Sequence, residues 1–152
     1  MLKWLGYIAA VYLAYRVLKK GYDMTDDQTD YLARTMWGEA RGEGARGMQA
    51  VGNVILNRVS RGGWYGASIK DVVLKPYQFS AWNANDPNRA KMLNATDADL
   101  RQARTIALQL QAGTLPDITG GAINYHATSV SPSWAKKMTK TVQIGNHIFY
   151  RD

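Results

Sequence analysis

The chain has 152 residues, 19 Lys and Arg against 12 Asp and Glu, a formal net charge of +7 and no cysteine. This length suits one domain with a real core, and a hydrophobic content of 46% excludes a disordered or collagen-like chain. The absence of cysteine excludes disulfide scaffolds, cysteine nucleophiles, zinc ribbons and iron–sulfur clusters, and two histidines are too few for a His-rich metal site.

The first 24 residues differ in composition from the rest of the chain. An uncharged apolar run, WLGYIAAVYLAY, lies between Lys3 and Arg16. This run is shorter than the roughly 20 residues that a membrane-spanning helix needs. A helix over residues 1–18 with both charges snorkelling makes a marginal span. We therefore predict an uncleaved anchor and linker over residues 1–24, of open orientation. The alternatives are a cleavable signal peptide and an amphipathic or buried helix within the fold.

The excess of positive charge favours an anionic partner, for which nucleic acid, anionic lipid and cell-wall polymer are candidates. The basic residues are scattered, and no tract of five or more Lys or Arg occurs. This pattern disfavours nucleic acid as the partner.

The remaining residues, 25–152, predict a mostly helical α+β domain with one small sheet. Near the C-terminus, TVQI and HIFY flank Gly145-Asn146, which indicates a two-residue β-hairpin. Apolar periodicity, with Gly113 as the last stop signal, predicts helices over residues 25–40, 45–59, 68–74 and 97–112.

Only two of the 12 acidic residues are glutamate, and they lie four residues apart at Glu39 and Glu43. Leu32, Met36 and Glu39 fall at i, i+4 and i+7, so Glu39 lies on the apolar stripe of its helix. The glycines around it indicate that the helix ends there. Partial burial and the negative end of a helix dipole both raise the pKa of a carboxyl group, which suits a general acid working near neutral pH.

A surface ion pair with Arg34 or Arg41 is the alternative for Glu39, and the periodicity favours the two interpretations equally. Glu43 shares the same face only if the helix continues through the glycines, so we interpret it as a structural partner or a residue at the rim of a cleft. The nearby spacing Gly42-x-Gly44-x-x-Gly47 matches a dinucleotide-binding motif. Because a helix and not a strand precedes it, we reject a nucleotide site.

Aromatic residues interleaved with amides and hydroxyls form a second pattern, in loop-like sequence. Such residues suit a carbohydrate groove, since rings stack on the apolar faces of sugars and polar groups fix their orientation. Core packing is the alternative for each ring, and we favour it for Phe79 and Trp134. His126 contacts substrate or completes a core hydrogen bond, whereas His147, in the hairpin, is interpreted as structural. The other aromatic residues of the pattern are Trp64, Tyr65, Tyr77, Trp82 and Tyr125.

Three blocks of sequence occur in the order of a known family. They are LARTMWGEARGEGARGMQAVGNVILNRV, KPYQFSAWN and DITGGAINYHATSVSPSWAKKMTKTVQIGNHIFY. Together they extend from about Asp30 to Arg151, and they resemble the SleB-type cell wall hydrolases, which are related to spore cortex-lytic enzymes. The short basic domain with its hydrophobic segment is also similar to phage lysis enzymes, and a bacterial origin fits these residues equally.

This resemblance implies a lysozyme-like fold and cleavage of peptidoglycan between N-acetylmuramic acid and N-acetylglucosamine. The catalytic acid of the family maps onto Glu39, and no metal or cofactor is implied. Many relatives carry two aromatic residues where this chain has Asn124 and Tyr125, which weakens the role assigned to Tyr125. The residues expected to bind substrate are Glu43, Gln78, Phe79, Ser80, Asn124, Tyr125 and His126.

With one acidic group well placed, a lytic transglycosylase that uses Glu39 as acid and then as base is the first hypothesis. A hydrolytic muramidase is the alternative, and it needs a second carboxylate roughly 5–10 Å away from the first. The chain contains aspartates, but the sequence singles out none of them for this role. A non-catalytic, membrane-tethered wall-binding or virion protein is another class, and a nucleic-acid binder ranks third. We expect a monomer in the cell envelope, anchored or exported to the periplasm or wall, with peptidoglycan as partner and membrane contact through residues 1–20.

Overall fold

The computed structural model describes the backbone of residues 2–152 and the side chains of residues 11–16 and 27–152. The side chains of the predicted anchor and linker fall mostly outside the described residues, so the role of residues 1–24 stays a prediction. Within the described part of the chain, no helix is both long enough and apolar enough to cross a membrane.

Two long helices form the frame of the molecule. The first, α1, spans Leu2–Ala40, and the second, α2, spans Gly44–Arg61. A single 3-10 turn, Arg41–Glu43, separates them, and Gly44 has a φ of +69°, a conformation that glycine adopts without steric cost. The prediction of a helix that ends beside Glu39 is therefore confirmed.

Three shorter helices pack around this frame: α3 at Ile69–Leu74, α4 at Pro87–Leu93 and α5 at Asp97–Gln111. Helices α3 and α5 confirm the predictions. Helix α4 was not predicted, although Asp86 caps its N-terminus by accepting a hydrogen bond from the amide of Asn88 at 2.7 Å.

A three-stranded antiparallel sheet completes the domain. Its strands are β1 at Asn124–Ala127, β2 at Thr139–Ile144 and β3 at His147–Arg151, and β3 lies in the middle. The β2–β3 hairpin, with its turn at Gly145-Asn146, confirms the prediction. Strand β1 was not predicted as a strand, and it pairs with β3 so that Tyr125 lies opposite Phe149.

Helix α2 lies between the helices and the sheet. Its Val51 and Ile55 belong to the helical part of the core, and Ala50 and Val54 pack with Phe149 of the sheet. Gly52 allows close contact, because a Cβ there would lie 2.5 Å from Leu110 and 2.6 Å from Met36. This packing brings the end of α1, and with it Glu39, to the junction of the helices and the sheet.

Candidate active site

The carboxylate of Glu39 lies half-buried in the last turn of α1 and accepts hydrogen bonds from two other parts of the chain. Its Oε1 accepts from the backbone amide of Ala81 at 2.9 Å and, more weakly, from the hydroxyl of Ser80 at 3.4 Å. Its Oε2 accepts from the hydroxyl of Tyr125 at 2.9 Å. Charge-assisted hydrogen bonds of this kind hold a carboxylate in one orientation.

Glu39 does not form the alternative ion pair with Arg34 or Arg41. Arg34 pairs with Asp30 at 2.7 Å, and Arg41 donates to the backbone carbonyl of Gly38 and to the side chain of Asn88. Within the described side chains, no Lys or Arg forms a salt bridge with Glu39. The carboxylate is thus held by neutral donors.

A short 3-10 helix, Ser80–Trp82, carries two of these donors against α1. The indole N–H of Trp82 donates to the hydroxyl of Thr35 at 2.9 Å, which fixes the segment on α1. Gly38 makes the approach possible, because a Cβ at that position would lie only 2.9 Å from the Cβ of Ala81. The glycine before Glu39 therefore brings the amide of Ala81 within reach of the carboxylate.

Tyr125 approaches Glu39 from strand β1. Its ring packs against those of Phe149 and His147, with centroid separations of 5.5 and 5.1 Å. Burial, reinforced by the negative charge of Glu39, raises the pKa of the Tyr125 hydroxyl well above its ordinary value. The hydroxyl therefore stays protonated and remains a hydrogen-bond donor to Glu39.

Arg58, on α2, was not predicted from the sequence, and it connects the two stretches that contact Glu39. It is only 5% exposed and donates to the carbonyl of Ile123 at 2.7 Å, to the side chain of Asn124 at 2.9 Å and, at 3.4 Å, to that of Gln78. Burial lowers the pKa of Arg58, while nearby oxygen groups, Glu39 among them, act in the opposite direction. Because arginine stays protonated in proteins, these contacts compensate a buried positive charge.

A signal for Arg58 was present in the sequence. The residue falls three positions after Ile55 and seven after Val51, on the apolar face of α2. A charged residue on such a face needs partners, but the sequence does not say which ones.

The predicted binding residues fall into two groups. Ser80 and Tyr125 contact Glu39, and the side-chain oxygens of Gln78 and Asn124 accept from Arg58, so these four lie together. Phe79 is 1% exposed and packs in the core, 5.0 Å from the Arg58 guanidinium, so it does not line an open groove.

His126 and Glu43 form contacts within the fold. The imidazole of His126 bonds to the hydroxyl of Tyr150 at 2.9 Å and to the backbone carbonyl of Ala127 at 2.7 Å. Glu43 accepts from the backbone and side-chain N–H groups of Asn146, at 3.1 and 3.0 Å. These contacts fit the structural interpretation of each residue.

His147 lies closer to Glu39 than the sequence indicated. Its ring packs edge-on against Tyr125. Burial lowers the pKa of His147 from the ordinary value, and the negative charges of Glu43 and Glu39 oppose this shift.

Comparison with known proteins places the chain in a family. A family model described as cell wall hydrolase matches residues 42–150, a range that begins just after Glu39. The chain is 30% identical over 138 residues to a spore cortex-lytic enzyme of Oceanobacillus iheyensis and 30% identical over 126 residues to one of Halalkalibacterium halodurans. These alignments cover 86% and 82% of this chain but only 43% and 35% of those enzymes, so the chain spans less than half of their length.

Solved structures show the same fold. The catalytic domain of the Bacillus cereus SleB protein superposes with a TM-score of 0.67 at 27% identity, covering 83% of this chain and 91% of that domain. The catalytic domain of the germination-specific lytic transglycosylase SleB from Bacillus anthracis gives a TM-score of 0.61 at 27% identity, covering 82% and 93%. Because the family model matches more than half of the chain, this protein belongs to the cell wall hydrolase family.

Proposed function

We propose that this protein cleaves the glycan strand of peptidoglycan between N-acetylmuramic acid and N-acetylglucosamine as a lytic transglycosylase, with Glu39 as general acid and then general base. The observation that carries the proposal is the carboxyl group of Glu39, half-buried without a salt bridge among the described side chains and fixed by Ala81 and Tyr125. A carboxyl group fixed in this way, with no cation paired to it among the described side chains, is a candidate for general acid and base catalysis.

The proposed reaction uses one carboxyl group twice. In the first half, Glu39 gives its proton to the glycosidic oxygen as the bond from that oxygen to C1 of the muramic residue breaks. In the second half, the C6 hydroxyl of the same residue attacks C1, and its proton returns to the Glu39 carboxylate. No water is consumed, and the product is a 1,6-anhydromuramic end.

The donors around Glu39 support the middle of this reaction. Once the proton has left, the negative charge on Glu39 is stabilised by the amide of Ala81 and the hydroxyl of Tyr125, both at 2.9 Å. Donors that are already in place at the site of developing charge need no rearrangement during the reaction. They also keep the carboxylate oriented to accept the proton back from the C6 hydroxyl.

The relatives support the same reaction class. One structural neighbour is described as a germination-specific lytic transglycosylase, and two curated relatives as spore cortex-lytic enzymes. The net charge of +7 suits an anionic cell wall. Position at the cell envelope, membrane contact through residues 1–20 and a monomeric state stay predictions.

Replacement of the carboxyl group by an amide tests the proposal. We expect Glu39→Gln to abolish the clearing of peptidoglycan in a zymogram while the melting temperature stays close to that of the wild type, because the two side chains have nearly the same shape. Retention of clearing by the folded variant would contradict the role of Glu39.

Mass spectrometry of the digested wall distinguishes the two routes of cleavage. Anhydro ends indicate the transglycosylase, whereas reducing ends indicate a muramidase that activates water, for which a second carboxylate roughly 5–10 Å away is required. Within the described side chains, no second carboxylate takes part in the hydrogen bonds of Glu39.

A further inference from the structure

The segment that forms the sheet carries an excess of positive charge. Residues 118–151, which include all three strands, contain no Asp or Glu, whereas they contain four Lys or Arg. The four are Lys136, Lys137, Lys140 and Arg151, and all of them are exposed. More than half of the formal net charge of +7 therefore comes from this segment.

These four cations have no acidic partner among the side chains that the structure describes. The basic residues that do form salt bridges there are Arg34, Arg61, Lys70 and Arg104. The two acidic residues that flank the segment are engaged elsewhere, because Asp117 accepts from the hydroxyl of Thr119 and Asp152 pairs with Arg61. The positive charge of the segment is thus available to an anionic partner.

The sheet has an outer face, which points away from α2. Phe149 packs against apolar side chains of α2. Because successive side chains of a strand alternate, the next residue, Tyr150, points outward. A 3-10 helix, Ser133–Lys137, covers this outer face, and its Trp134 ring lies 5.4 Å from that of Tyr150.

Three lysines lie together on the outer face. Lys136 and Lys137 are the last two residues of the 3-10 helix, and Lys140 pairs in register with Tyr150. Residues paired across two strands share a face, so Lys140 lies on the same side of the sheet as Trp134. We call the surface formed by Lys136, Lys137 and Lys140 the lysine face.

The sheet separates the lysine face from the candidate active site. Tyr125, whose hydroxyl donates to Glu39, lies opposite Phe149 in register and therefore on the inner side of the sheet. The hydrogen bonds that hold Glu39 involve none of the three lysines. A ligand of the lysine face is thus bound apart from the carboxyl group that cleaves the glycan in the proposed function.

The composition of the outer face disfavours a membrane or a nucleic acid as its ligand. Of residues 118–151, all of which the structure describes, Val130 is the only large hydrophobic residue with an exposed side chain. A lipid-binding surface combines cations with apolar side chains that enter the bilayer interface. A surface for single-stranded nucleic acid adds exposed aromatic rings on which bases stack, whereas Trp134 and Tyr150 pack against each other.

Lysine side chains are flexible point charges and lack the rigid fork with which arginine holds a single anion. A row of them suits a polymer on which anionic groups repeat without accompanying cations. A polyol phosphate, with one negatively charged phosphodiester in each repeat, has this character.

We propose that the lysine face docks an anionic phosphodiester polymer of the cell wall, of the polyol-phosphate class. The inference rests on the proposed function for the presence of a wall, and it deepens that function by naming a second wall component. Because the lysine face lies across the sheet from Tyr125 and Glu39, docking holds the enzyme on the wall without occupying the site of cleavage.

Binding of soluble poly(glycerol phosphate) tests the proposal, because this polymer contains no glycosidic bond for Glu39 to cleave. We replace all three lysines together, as Lys136→Ala, Lys137→Ala and Lys140→Ala, and measure the affinity for the polymer by calorimetry at low ionic strength. We expect affinity to fall roughly tenfold, because each lysine interacts with several phosphates when screening is weak. The fold stays intact, since all three side chains are exposed, and circular dichroism checks the melting temperature.

A charge-matched variant separates the lysine face from the net charge. It removes three exposed cations of α2, α4 and α5 that form no salt bridge among the described side chains, through Arg46→Ala, Lys91→Ala and Arg101→Ala. Both triple variants therefore lower the formal net charge from +7 to +4. We expect the charge-matched variant to stay within about twofold of the wild type in affinity. Replacement of the three lysines by arginine keeps the charge of the lysine face and retains the affinity.

Four results would overturn the inference. They are no binding of the wild type to poly(glycerol phosphate), an unchanged affinity of the lysine-to-alanine variant, equal losses in the two charge-lowering variants, and tighter binding of the wild type to phosphatidylglycerol vesicles or single-stranded DNA than to the polymer. The last result would assign the lysine face to a lipid surface or to nucleic acid instead.

Digestion of peptidoglycan by the wild type is judged separately from these affinities. Anhydro products without polymer binding leave the proposed function standing and remove only the docking surface. Polymer binding that depends on the three lysines, together with a failure to digest peptidoglycan, removes the proposed function and leaves the docking surface.

Discussion

The hydroxyl of Tyr125 illustrates how single groups determine the site. It donates to Oε2 of Glu39 from a strand that lies 86 positions later in the sequence. Two rings, Phe149 and His147, pack against Tyr125, so the hydroxyl is fixed without a flexible loop. A donor positioned by packing stabilises the carboxylate at little cost in side-chain entropy.

We expect Tyr125→Phe to lower turnover about tenfold, because the variant loses the hydrogen bond that stabilises the negative charge on Glu39 after its proton has left. The ring remains, so the melting temperature should change by only a few degrees. Product release from purified peptidoglycan measures the turnover, and circular dichroism measures the melting temperature.

Tyr150→Phe is the matched control for this experiment, since it removes a hydroxyl that bonds to His126 and not to Glu39. Equal turnover of Tyr125→Phe and the wild type would show that the hydroxyl has no part in the reaction.

Arg58 organises the same site through its neighbours. Its guanidinium binds oxygens on both stretches that approach Glu39, namely those of Gln78, Ile123 and Asn124. Because Arg58 occupies the side-chain oxygens of Gln78 and Asn124, it fixes the orientation of both amides. Gln78 and Asn124, both predicted to bind substrate, are thus oriented by Arg58, which was not predicted from the sequence.

At the scale of elements, the contact between the end of α1 and the 3-10 helix Ser80–Trp82 decides the geometry of the carboxylate. The 3-10 helix reaches Glu39 of α1 only because the two elements come close together at Gly38, whose missing Cβ leaves room for Ala81. Thr35 then fixes the 3-10 helix through Trp82. The position of one amide therefore depends on a glycine in a neighbouring helix.

We expect Gly38→Ala to lower activity at least tenfold, because its methyl group would push Ala81 and its amide away from Glu39, and small displacements of catalytic groups are costly. The melting temperature is a poor readout here, since alanine also favours the helix. Wall-clearing rates of folded protein measure the effect.

Gly42→Ala is the control for this variant, because a Cβ at Gly42 meets nothing within 4 Å, and we expect it to keep full activity. If both variants were equally active, the close approach at Gly38 would not position the amide.

At the scale of the whole molecule, α2 and a few polar contacts join the helices to the sheet. Glu43 contributes one of these contacts, because it accepts two hydrogen bonds from Asn146 in the hairpin turn. These bonds lower the pKa of Glu43 below its ordinary value of 4.5. The folded state therefore favours the carboxylate more than the unfolded chain does.

The contribution of Glu43 to stability has a defined pH dependence. It is fully present above the unfolded-state pKa of 4.5 and is lost as the pH falls through the lower pKa of the folded state. We expect the melting temperature of the wild type to fall more steeply from about pH 5 to about pH 3 than that of Glu43→Gln. Thermal melts followed by circular dichroism measure both slopes, and equal slopes would contradict the proposed link.

The sequence by itself determined the parts that depend on neighbouring residues. The part of α1 that ends at Ala40 and the helices α2, α3 and α5 follow from apolar periodicity, caps and glycines, and the hairpin follows from Gly145-Asn146. Local sequence also drew attention to Glu39, because it is one of only two glutamates and lies on the apolar face of its helix. Strand β1 escaped prediction because NYHA carries too weak a period, and its pairing with β3 is long-range.

Only the tertiary structure decided what surrounds Glu39. The donors Ala81 and Tyr125 lie 42 and 86 positions away in sequence, and no local pattern encodes their approach. Burial also decided between two interpretations of Phe79, whose ring lies in the core, and it gave Arg58 its partners. The physical reason is that burial and hydrogen bonding depend on which distant segments pack together, whereas periodicity and capping depend on residues within a few positions of one another.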